Sequence, residues 1–191
     1  MLSACTRRGV LVASTGEHRL TAQDSQTGIT AVVTTGVWKP EAAERSRSDS
    51  QSHWTALHVL VANLGDTPVL LAPGDFELRD LRGFQYALID PGATFYRDAP
   101  KLRPVGSYAR EYRRDYDPGG PVEFIPLDVG GDVGRQALPW GVLEPGTEMR
   151  GFVYFEDMSL RANGGTLTWR AMTPGHAPLV QLQFDFGMAR T

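Results

Sequence analysis

The strongest constraint on the fold is the stretch 143–155, in which a tight turn leads directly into an apolar run. Pro145 fixes φ near the value that an early turn position requires, and Gly146 supplies the positive φ that a later position needs. The following residues are apolar and aromatic, which favours an extended chain. The stretch therefore predicts a turn followed by a β-strand from about Met149 onward.

Both faces of this strand are apolar. Successive side chains of a strand point to opposite faces, so one face carries Gly151, Val153 and Phe155 and the other carries Phe152 and Tyr154. We expect the first face to point into the core and the strand to lie centrally in a sheet. A glycine inside a strand usually marks the close approach of another backbone or a bulky side chain.

The same alternation recurs along the chain and predicts an all-β fold. The segment 28–38 is dense in β-branched residues, and alternation is clear in 54–63, 166–171 and 179–186. Turn signals separate the strands, and those at Asn63 to Pro68 and at Asn163 to Gly165 are interpreted as hairpins. About eight strands of this length fit a two-sheet antiparallel sandwich.

One segment, 90–140, departs from the strand pattern. It contains seven prolines, which lack the N–H that a central sheet requires. Ser107 is placed to cap a short helix over Tyr108 to Tyr116. The flanking strands are expected to close the core without this long insertion. The predicted organisation is a flexible tether at 1–27, a sandwich domain at 28–186 and a short tail at 187–191. The apolar run at Val10 leaves a short edge strand within the tether as an alternative.

Length and composition indicate a single globular domain. The chain has 191 residues, of which 41% are hydrophobic and 21% charged, as in ordinary globular proteins. A net charge of -3 argues against a general nucleic-acid binder, whose affinity depends on neutralising phosphates. The single cysteine excludes an internal disulfide framework, so packing must stabilise the fold.

The context of that cysteine suggests a lipid anchor. The run Leu2-Ser3-Ala4-Cys5 resembles the bacterial lipobox, the short segment that precedes a lipid-modified cysteine. A secretion signal also needs a basic and an apolar segment ahead of this run, so we expect either a true start upstream of Met1 or a shortened sequence. The alternative is a chance match in a cytosolic protein with one thiol. We therefore predict lipidation at Cys5 and a location in the bacterial cell envelope, on the periplasmic side or at the outer membrane.

The order of elements resembles the immunoglobulin-like domains of unknown function found in bacterial secreted lipoproteins. Three segments carry this resemblance: the strand 54–63 with its Asn-x-Gly turn, the pair of strands around 76–86, and the turn and strand 143–155. The resemblance covers residues 28–186 and implies an immunoglobulin-like antiparallel sandwich. It brings no catalytic residues and no cofactor with it.

Signals for catalysis and metal binding are weak. The chain has no Gly-x-Ser-x-Gly and no Ser-x-x-Lys motif. His53 and His58 point to opposite faces of one strand, and the loop 115–120 matches only part of a calcium-binding pattern. We therefore predict no enzymatic activity, no metal and no cofactor.

A partner-binding surface is predicted inside the insertion. The run 108–116 interleaves tyrosine with arginine, the residue types enriched at the energetic centres of protein interfaces. The predicted contact residues are Arg110, Tyr112, Arg113, Arg114 and Tyr116. A tyrosine stripe can instead cover a sheet edge while the arginines face water.

Two functions follow from these observations. The first is a non-enzymatic envelope lipoprotein that acts as a protein-interaction or assembly module through the insertion. The alternative is a small-ligand or carbohydrate-binding domain that uses a sandwich edge lined by Trp38, Trp54 and Trp140.

Overall fold

The fold is a sandwich of two β-sheets. A computed structural model describes residues 9–13, 19–35, 54–90, 124–126, 131–156, 158 and 162–190. Within these residues the chain forms thirteen strands, one short helix and one turn of 3-10 helix at Pro73–Asp75. The strands are β1 Gly9–Ala13, β2 Arg19–Asp24, β3 Ile29–Thr34, β4 Trp54–Asn63, β5 Val69–Leu71, β6 Phe76–Asp80, β7 Gln85–Tyr86, β8 Leu88–Asp90, β9 Phe124–Pro126, β10 Gly141–Leu143, β11 Thr147–Glu156, β12 Gly164–Met172 and β13 Pro178–Arg190, and helix α1 is Gly131–Gln136.

The first sheet has seven strands and is built around β12. One edge of β12 pairs with β13, which in turn pairs with β1. The other edge of β12 pairs with β6 along most of the length of β12 and with β5 at its end. Strand β7 then pairs with the free edge of β6, and β10 pairs with β5. All of these pairs are antiparallel.

The second sheet has six strands in the order β2-β3-β4-β11-β8-β9. Every pair is antiparallel except β8 and β9, which run parallel. The inward faces of the two sheets form the core, with Leu57, Val59 and Val61 from β4 opposed by Leu167 and Trp169 from β12. The predicted all-β antiparallel sandwich is confirmed.

The central strand lies where the sequence predicts it. Gly146 adopts φ +75° in the turn, and the Thr147 N–H donates to the Glu144 carbonyl at 3.2 Å. Strand β11 then runs between β4 and β8, with Val153 and Phe155 buried in the main core. Because β11 has a partner on each edge and apolar residues on each face, it is a central strand.

Gly151 is a site of close backbone approach, as its place inside a strand predicts. A Cβ atom built at Gly151 would lie 2.5 Å from both the Cα and the N of Leu138. The Leu138 N–H donates to the Phe152 carbonyl at 2.8 Å, and Ala137 forms a parallel bridge with Phe152. The chain after α1 therefore crosses directly against β11, where only glycine leaves room.

The structure has the edge strand near Val10 that the sequence offers as the alternative to a tether, whereas the predicted tether is wrong for residues 19–24. Residues 9–13 form the edge strand β1 of the first sheet, and residues 19–24 pair with β3 as the edge of the second sheet. The predicted tail is also wrong for residues 187–190, which continue β13 beside β1. Strand β2 is polar and lacks a marked apolar face, so its composition resembles that of a linker.

Two predicted hairpins are instead crossings between the sheets. The turn at 63–68 connects β4 of the second sheet to β5 of the first, and the turn at 163–165 leads from β11 into β12 in the same way. The hairpins among the described residues join β2 to β3, β6 to β7, and β12 to β13. Hairpins and crossings between sheets use the same turn residues, because these residues bend the chain but do not determine which strand the next segment pairs with.

The insertion contributes to the core, contrary to the expectation that the flanking strands close it alone. Leu138 is buried in the main cluster, and Trp140 packs against Phe76 with ring centroids 6.0 Å apart. Pro126 ends β9 at the edge of the second sheet, where a missing N–H is tolerated. The helix predicted over 108–116 lies outside the described residues, whereas α1 occupies 131–136.

Replacement of Phe155 by alanine is expected to destabilise the protein by about 3 to 5 kcal/mol. The side chain is 0% exposed, so the change removes its buried area and leaves a cavity. For a chain of this size each kcal/mol lowers the melting temperature by roughly 2 to 4 °C. Thermal unfolding of the variant measures the effect.

Val142→Ala is the control, since that side chain lies at the surface of β10 and its loss should change the melting temperature little. A Phe155→Ala melting temperature equal to that of Val142→Ala would contradict the placement of Phe155.

Candidate functional site

Three turns meet at one end of the sandwich. These are residues 24–28, 63–68 and 144–147, called here the three-turn end. Asn63 is paired with Ile29 of β3 on one side and with Thr147 of β11 on the other. The Leu64 N–H donates to the Gly28 carbonyl at 3.0 Å, and the Gly146 N–H donates to the Asn63 carbonyl at 2.7 Å. Backbone hydrogen bonds thus connect all three turns.

The side chain of Asn63 connects this end to the first sheet. It is 0% exposed, and its amide nitrogen donates to the carbonyls of Thr67 at 2.9 Å and Leu143 at 3.1 Å. Its Oδ1 accepts from the Gly65 N–H at 3.1 Å. A buried amide with both groups bonded in this way fixes the relative positions of the loops it touches.

Glycine permits the tight packing of these turns. A Cβ atom built at Gly65 would lie 2.0 Å from the Thr27 carbonyl oxygen, and Gly28 adopts φ +71°. A side chain at either position would force the turns apart. The three-turn end is therefore a rigid base that holds its outer side chains in place.

The charged side chains of the three-turn end are all acidic, and one large apolar residue is exposed among them. Leu64 is 67% exposed, and Asp66 and Glu144 are also exposed. The hydroxyl and N–H of Thr27 donate to Asp24, and the hydroxyl contributes most to lowering the pKa of that carboxyl. Because the three turns contain no lysine, arginine or histidine, this end carries a negative charge.

A second group of charges lies on the outer face of the first sheet. Glu77 is buried and accepts from Arg79 beside it on β6 and from Arg170 on β12, the latter at 2.5 Å. Arg79 also donates to the Gly83 carbonyl at 3.1 Å and to the side-chain oxygen of Gln85 at 3.0 Å. This network joins β6, β7 and β12, which gives it a clear structural role.

Asp75 is the carboxyl group with the most perturbed pKa near this network. Its Oδ2 accepts from the Ala72 N–H at 3.0 Å. Burial raises the pKa of the carboxyl to about 6, while the bond from Ala72 and the charges of His176 and Arg170 act in the opposite direction. Shifted carboxyl groups occur at functional sites and in structural networks alike. Here the bond to Ala72 organises the 3-10 turn before β6.

An aromatic cluster covers the outer face of the second sheet. Phe152 and Tyr154 are buried there, with the Trp54 ring 5.8 Å from Tyr154 and the His58 ring 5.2 Å from Phe152. Burial lowers the pKa of His58, and the nearby charge of Arg150 lowers it further. Burial also raises the pKa of Tyr154 to about 12. This face is therefore a second apolar layer outside the sandwich core.

The predicted partner-binding residues and the predicted lipidation site lie outside the described residues. They are Arg110, Tyr112, Arg113, Arg114, Tyr116 and Cys5. Trp38, His53 and the loop 115–120 also lie outside them. The structure therefore leaves these predictions open.

The predicted tryptophan-lined edge is not supported by the two tryptophans that the structure describes. Trp54 belongs to the aromatic cluster outside the second sheet, whereas Trp140 packs against the main core between the sheets. The two side chains join different clusters because strand alternation directs Trp54 outward, while the chain entering β10 directs Trp140 inward.

Sequence reasoning missed Asn63, Asp75 and Glu77 as organising residues. The only available signal was the Asn-x-Gly pattern after a strand, and it was interpreted as a hairpin. Nothing local distinguishes Glu77 from a solvent-facing strand residue, because its burial results from arginines on β6 and β12. Among the described residues, no group of histidine, cysteine, aspartate or glutamate is arranged to hold a metal ion.

Comparisons with known proteins give no family. No protein-family model matches the chain, and no curated protein sequence does. A solved structure of a candidate lipoprotein of Bacillus subtilis, ycdA, is similar with a TM-score of 0.39 and 14% identity over 81% of this chain. The secreted protein MPT63 of Mycobacterium tuberculosis is similar with a TM-score of 0.37 and 10% identity, over 86% of this chain and 91% of its own.

The chain spans 36% of the length of the Bacillus subtilis protein. Both TM-scores are too low to assign the chain to a particular type of sandwich. The strand pairing alone therefore defines the fold. No helix in the part of the chain described here is long and apolar enough to cross a membrane.

Asp75→Asn is expected to stabilise the protein at neutral pH. The pKa of this carboxyl rises from 3.8 to about 6 on folding, so between these values the folded chain keeps a proton that the unfolded chain has lost. Its contribution to stability is full below about pH 3.8 and is lost as the pH rises through about 6. Asparagine keeps an oxygen for the Ala72 N–H without the buried charge.

Melting temperatures of the variant and the parent protein should agree near pH 4 and differ near pH 7.5, by the equivalent of something on the order of 3 kcal/mol. Asp66→Asn, a change at an exposed carboxyl, serves as the control and should show no such divergence. A less stable Asp75→Asn protein at neutral pH would mean that His176 and Arg170 hold the ionised carboxylate favourably.

Proposed function

We propose that the protein is a non-enzymatic envelope lipoprotein in which a β-sandwich presents a binding segment to a protein partner. The observation that carries this proposal is the point at which residues 91–123 join the sandwich. The chain leaves the second sheet at Asp90 and re-enters it at Phe124, in strands β8 and β9 that pair side by side. Leu88 is opposite Phe124, and Asp90 is opposite Pro126.

This geometry supports a recognition segment held by a rigid scaffold. Strand β8 pairs with the central strand β11, and Ile89 belongs to the aromatic cluster beside Tyr154. Both ends of the segment are thus fixed at one edge of a packed sheet. Segments held in this way commonly carry binding functions, because the packed scaffold supplies the stability and the segment itself need not do so.

The composition of the segment indicates the chemistry of the contact. Arg110, Arg113 and Arg114 supply planar donors that pair with carboxylates, and Tyr112 and Tyr116 supply rigid aromatic area. The fitting partner is a protein surface with acidic groups around an apolar centre. An envelope protein is the candidate, because the lipobox-like run at Cys5 supports secretion and anchoring.

The roles of the described ionisable groups support a non-enzymatic function. Glu77 is bound by two arginines, and Asp80 accepts hydrogen bonds from the N–H groups of Arg82 and Phe84. Each of these carboxylates connects backbone elements. Carboxylates held by several donors in this way suit a structural role.

Replacing Arg110, Arg113 and Arg114 by alanine is expected to abolish capture of the envelope partner while leaving the melting temperature nearly unchanged. Lost charge pairs and hydrogen bonds at an interface weaken binding without affecting the sandwich core. The measurement is crosslinking in intact cells, followed by mass spectrometry of the captured protein.

The matched control removes the same charge from the exposed residues Arg19, Arg135 and Arg150 and should retain capture. Unfolding of the first triple variant, or equal capture by both variants, would overturn the proposed binding surface.

Lipidation at Cys5 is tested with the gene expressed behind its genuine upstream region. The parent protein should sediment with membranes, and Cys5→Ala should release it into the soluble fraction, because the acyl chains supply the membrane affinity. Mass spectrometry of the purified protein detects the added lipid. A free thiol at Cys5, or a Cys5→Ala protein that still sediments, would contradict the anchor.

A further inference from the structure

The link between Cys5 and the first strand is short, and this decides which end of the sandwich lies near the membrane. Strand β1 begins at Gly9, four residues after Cys5. An extended chain spans at most 3.3 to 3.6 Å per residue, so the link reaches about 14 Å at most. This step rests on the lipid anchor proposed above. Gly9, at the edge of the first sheet, must then remain close to the bilayer.

The turn between β6 and β7 lies at the same end of the first sheet. Asp80 is opposite Gly165 of β12, and the Leu81 N–H donates to the Gly164 carbonyl at 3.3 Å. Gly164 is opposite Gly187 of β13. The hydrogen-bonded rows of the sheet therefore place Leu81 at the end where β1 starts and β13 finishes.

Distances in the sheet allow this turn to reach the membrane surface. Gly9 is opposite Arg190, three residues beyond Gly187, which makes an axial offset of about 10 Å. Three strand spacings separate β1 from β6, or about 14 Å across the sheet. If the sandwich tilts by roughly 35° toward β6, Gly9 and the turn at Leu81 lie at the same height above the membrane. The link from Cys5 is long enough to permit this tilt.

The turn has the side chains that a lipid surface attracts. Leu81 is 68% exposed, and the side chain of Arg82 beside it is 57% exposed. Asp80 fixes the turn by accepting from the N–H groups of Arg82 and Phe84, at 2.9 and 3.0 Å. Its Oδ2 accepts from Nε and Nη2 of Arg82, which holds the guanidinium group at the turn. An exposed leucine beside a guanidinium group that stays largely in contact with water suits the headgroup region of a bilayer.

The opposite end of the sandwich is acidic, whereas in the turn at Leu81 the charge of Arg82 is balanced by Asp80. The three-turn end carries Asp24, Asp66 and Glu144 without a basic residue, and an anionic membrane repels such a surface. It lies at the far end of the first sheet, because Asn63 bonds to Leu143 and β5 meets Met172 there. Charge therefore favours the orientation that the short link imposes.

We infer that the turn formed by Leu81 and Arg82 is a second membrane contact, which holds the lipid-anchored sandwich on an anionic bilayer with its three-turn end directed away. The lipid supplies the affinity, and the turn sets the orientation.

The test uses the position of a single dye. Once Cys5 is lipidated, Leu81→Cys introduces the only free thiol of the chain. The protein is produced in a bacterial host behind a signal sequence that is removed at Cys5, labelled with an environment-sensitive dye, and bound to vesicles of phosphatidylcholine and phosphatidylglycerol. A quencher attached to the lipid tails should remove most of the fluorescence.

Gly175→Cys is the matched control. Gly175 is exposed in the turn between β12 and β13, about 30 Å away along β12, and a Cβ atom there contacts nothing closer than 3.8 Å. Its dye should keep its fluorescence on the same vesicles. Both labelled proteins should match the parent protein in melting temperature, since both positions lie at the surface.

The possible outcomes separate the inference from the proposed function. Quenching at position 81 alone supports the contact. Vesicle-bound protein with neither dye quenched, or with both quenched equally, overturns the contact and leaves the lipid anchor intact. If mass spectrometry finds Cys5 unmodified and the protein does not bind vesicles, the anchor and the contact both fail.

Discussion

The ladder between β4 and β11 is the constraint on which the rest of the structure depends. It pairs ten residues without a break, from Asn63 opposite Thr147 to Trp54 opposite Glu156. Because side chains alternate across a strand, this single register decides what lies inside the sandwich and what lies outside it. A slip of one residue would exchange Val153 for Tyr154 and remove the core contacts of the whole sheet. The length of the ladder protects the register.

Two apolar layers follow from that register. The inward face of β11 joins the main core, and the outward face carries the buried aromatic cluster around Tyr154. The chain after α1 passes through the gap that Gly151 leaves, so that Leu138 reaches the main core while Ala137 packs on the outer cluster. One glycine thus lets a segment of the predicted insertion connect both layers. The end of the insertion is part of the fold, even though its binding role is a proposal.

Buried polar groups fix the positions of neighbouring elements. The amide of Asn63 connects β4 of the second sheet to Leu143 of the first, and Glu77 connects β6 to Arg170 of β12 within the first sheet. Buried polar groups are costly when unpaired, so a fully bonded set favours one arrangement over its competitors. In the proposed function, such rigidity keeps the edge at β8 and β9 fixed relative to the membrane anchor. The proposed binding segment then has a defined orientation relative to the membrane.

The sequence by itself determined the elements with long periodic patterns. It located β4 to the residue, placed Val153 and Phe155 in the core, and marked Gly151 as a close contact, because alternation and glycine chemistry are local properties. It could not decide which strands share a sheet, since the turn at Asn63 bends the chain identically for a hairpin and for a crossing. The short strands β9 and β10, the burial of Glu77 and the pKa of Asp75 also escaped it. Only the tertiary structure decided these, because each depends on neighbours far away in the chain.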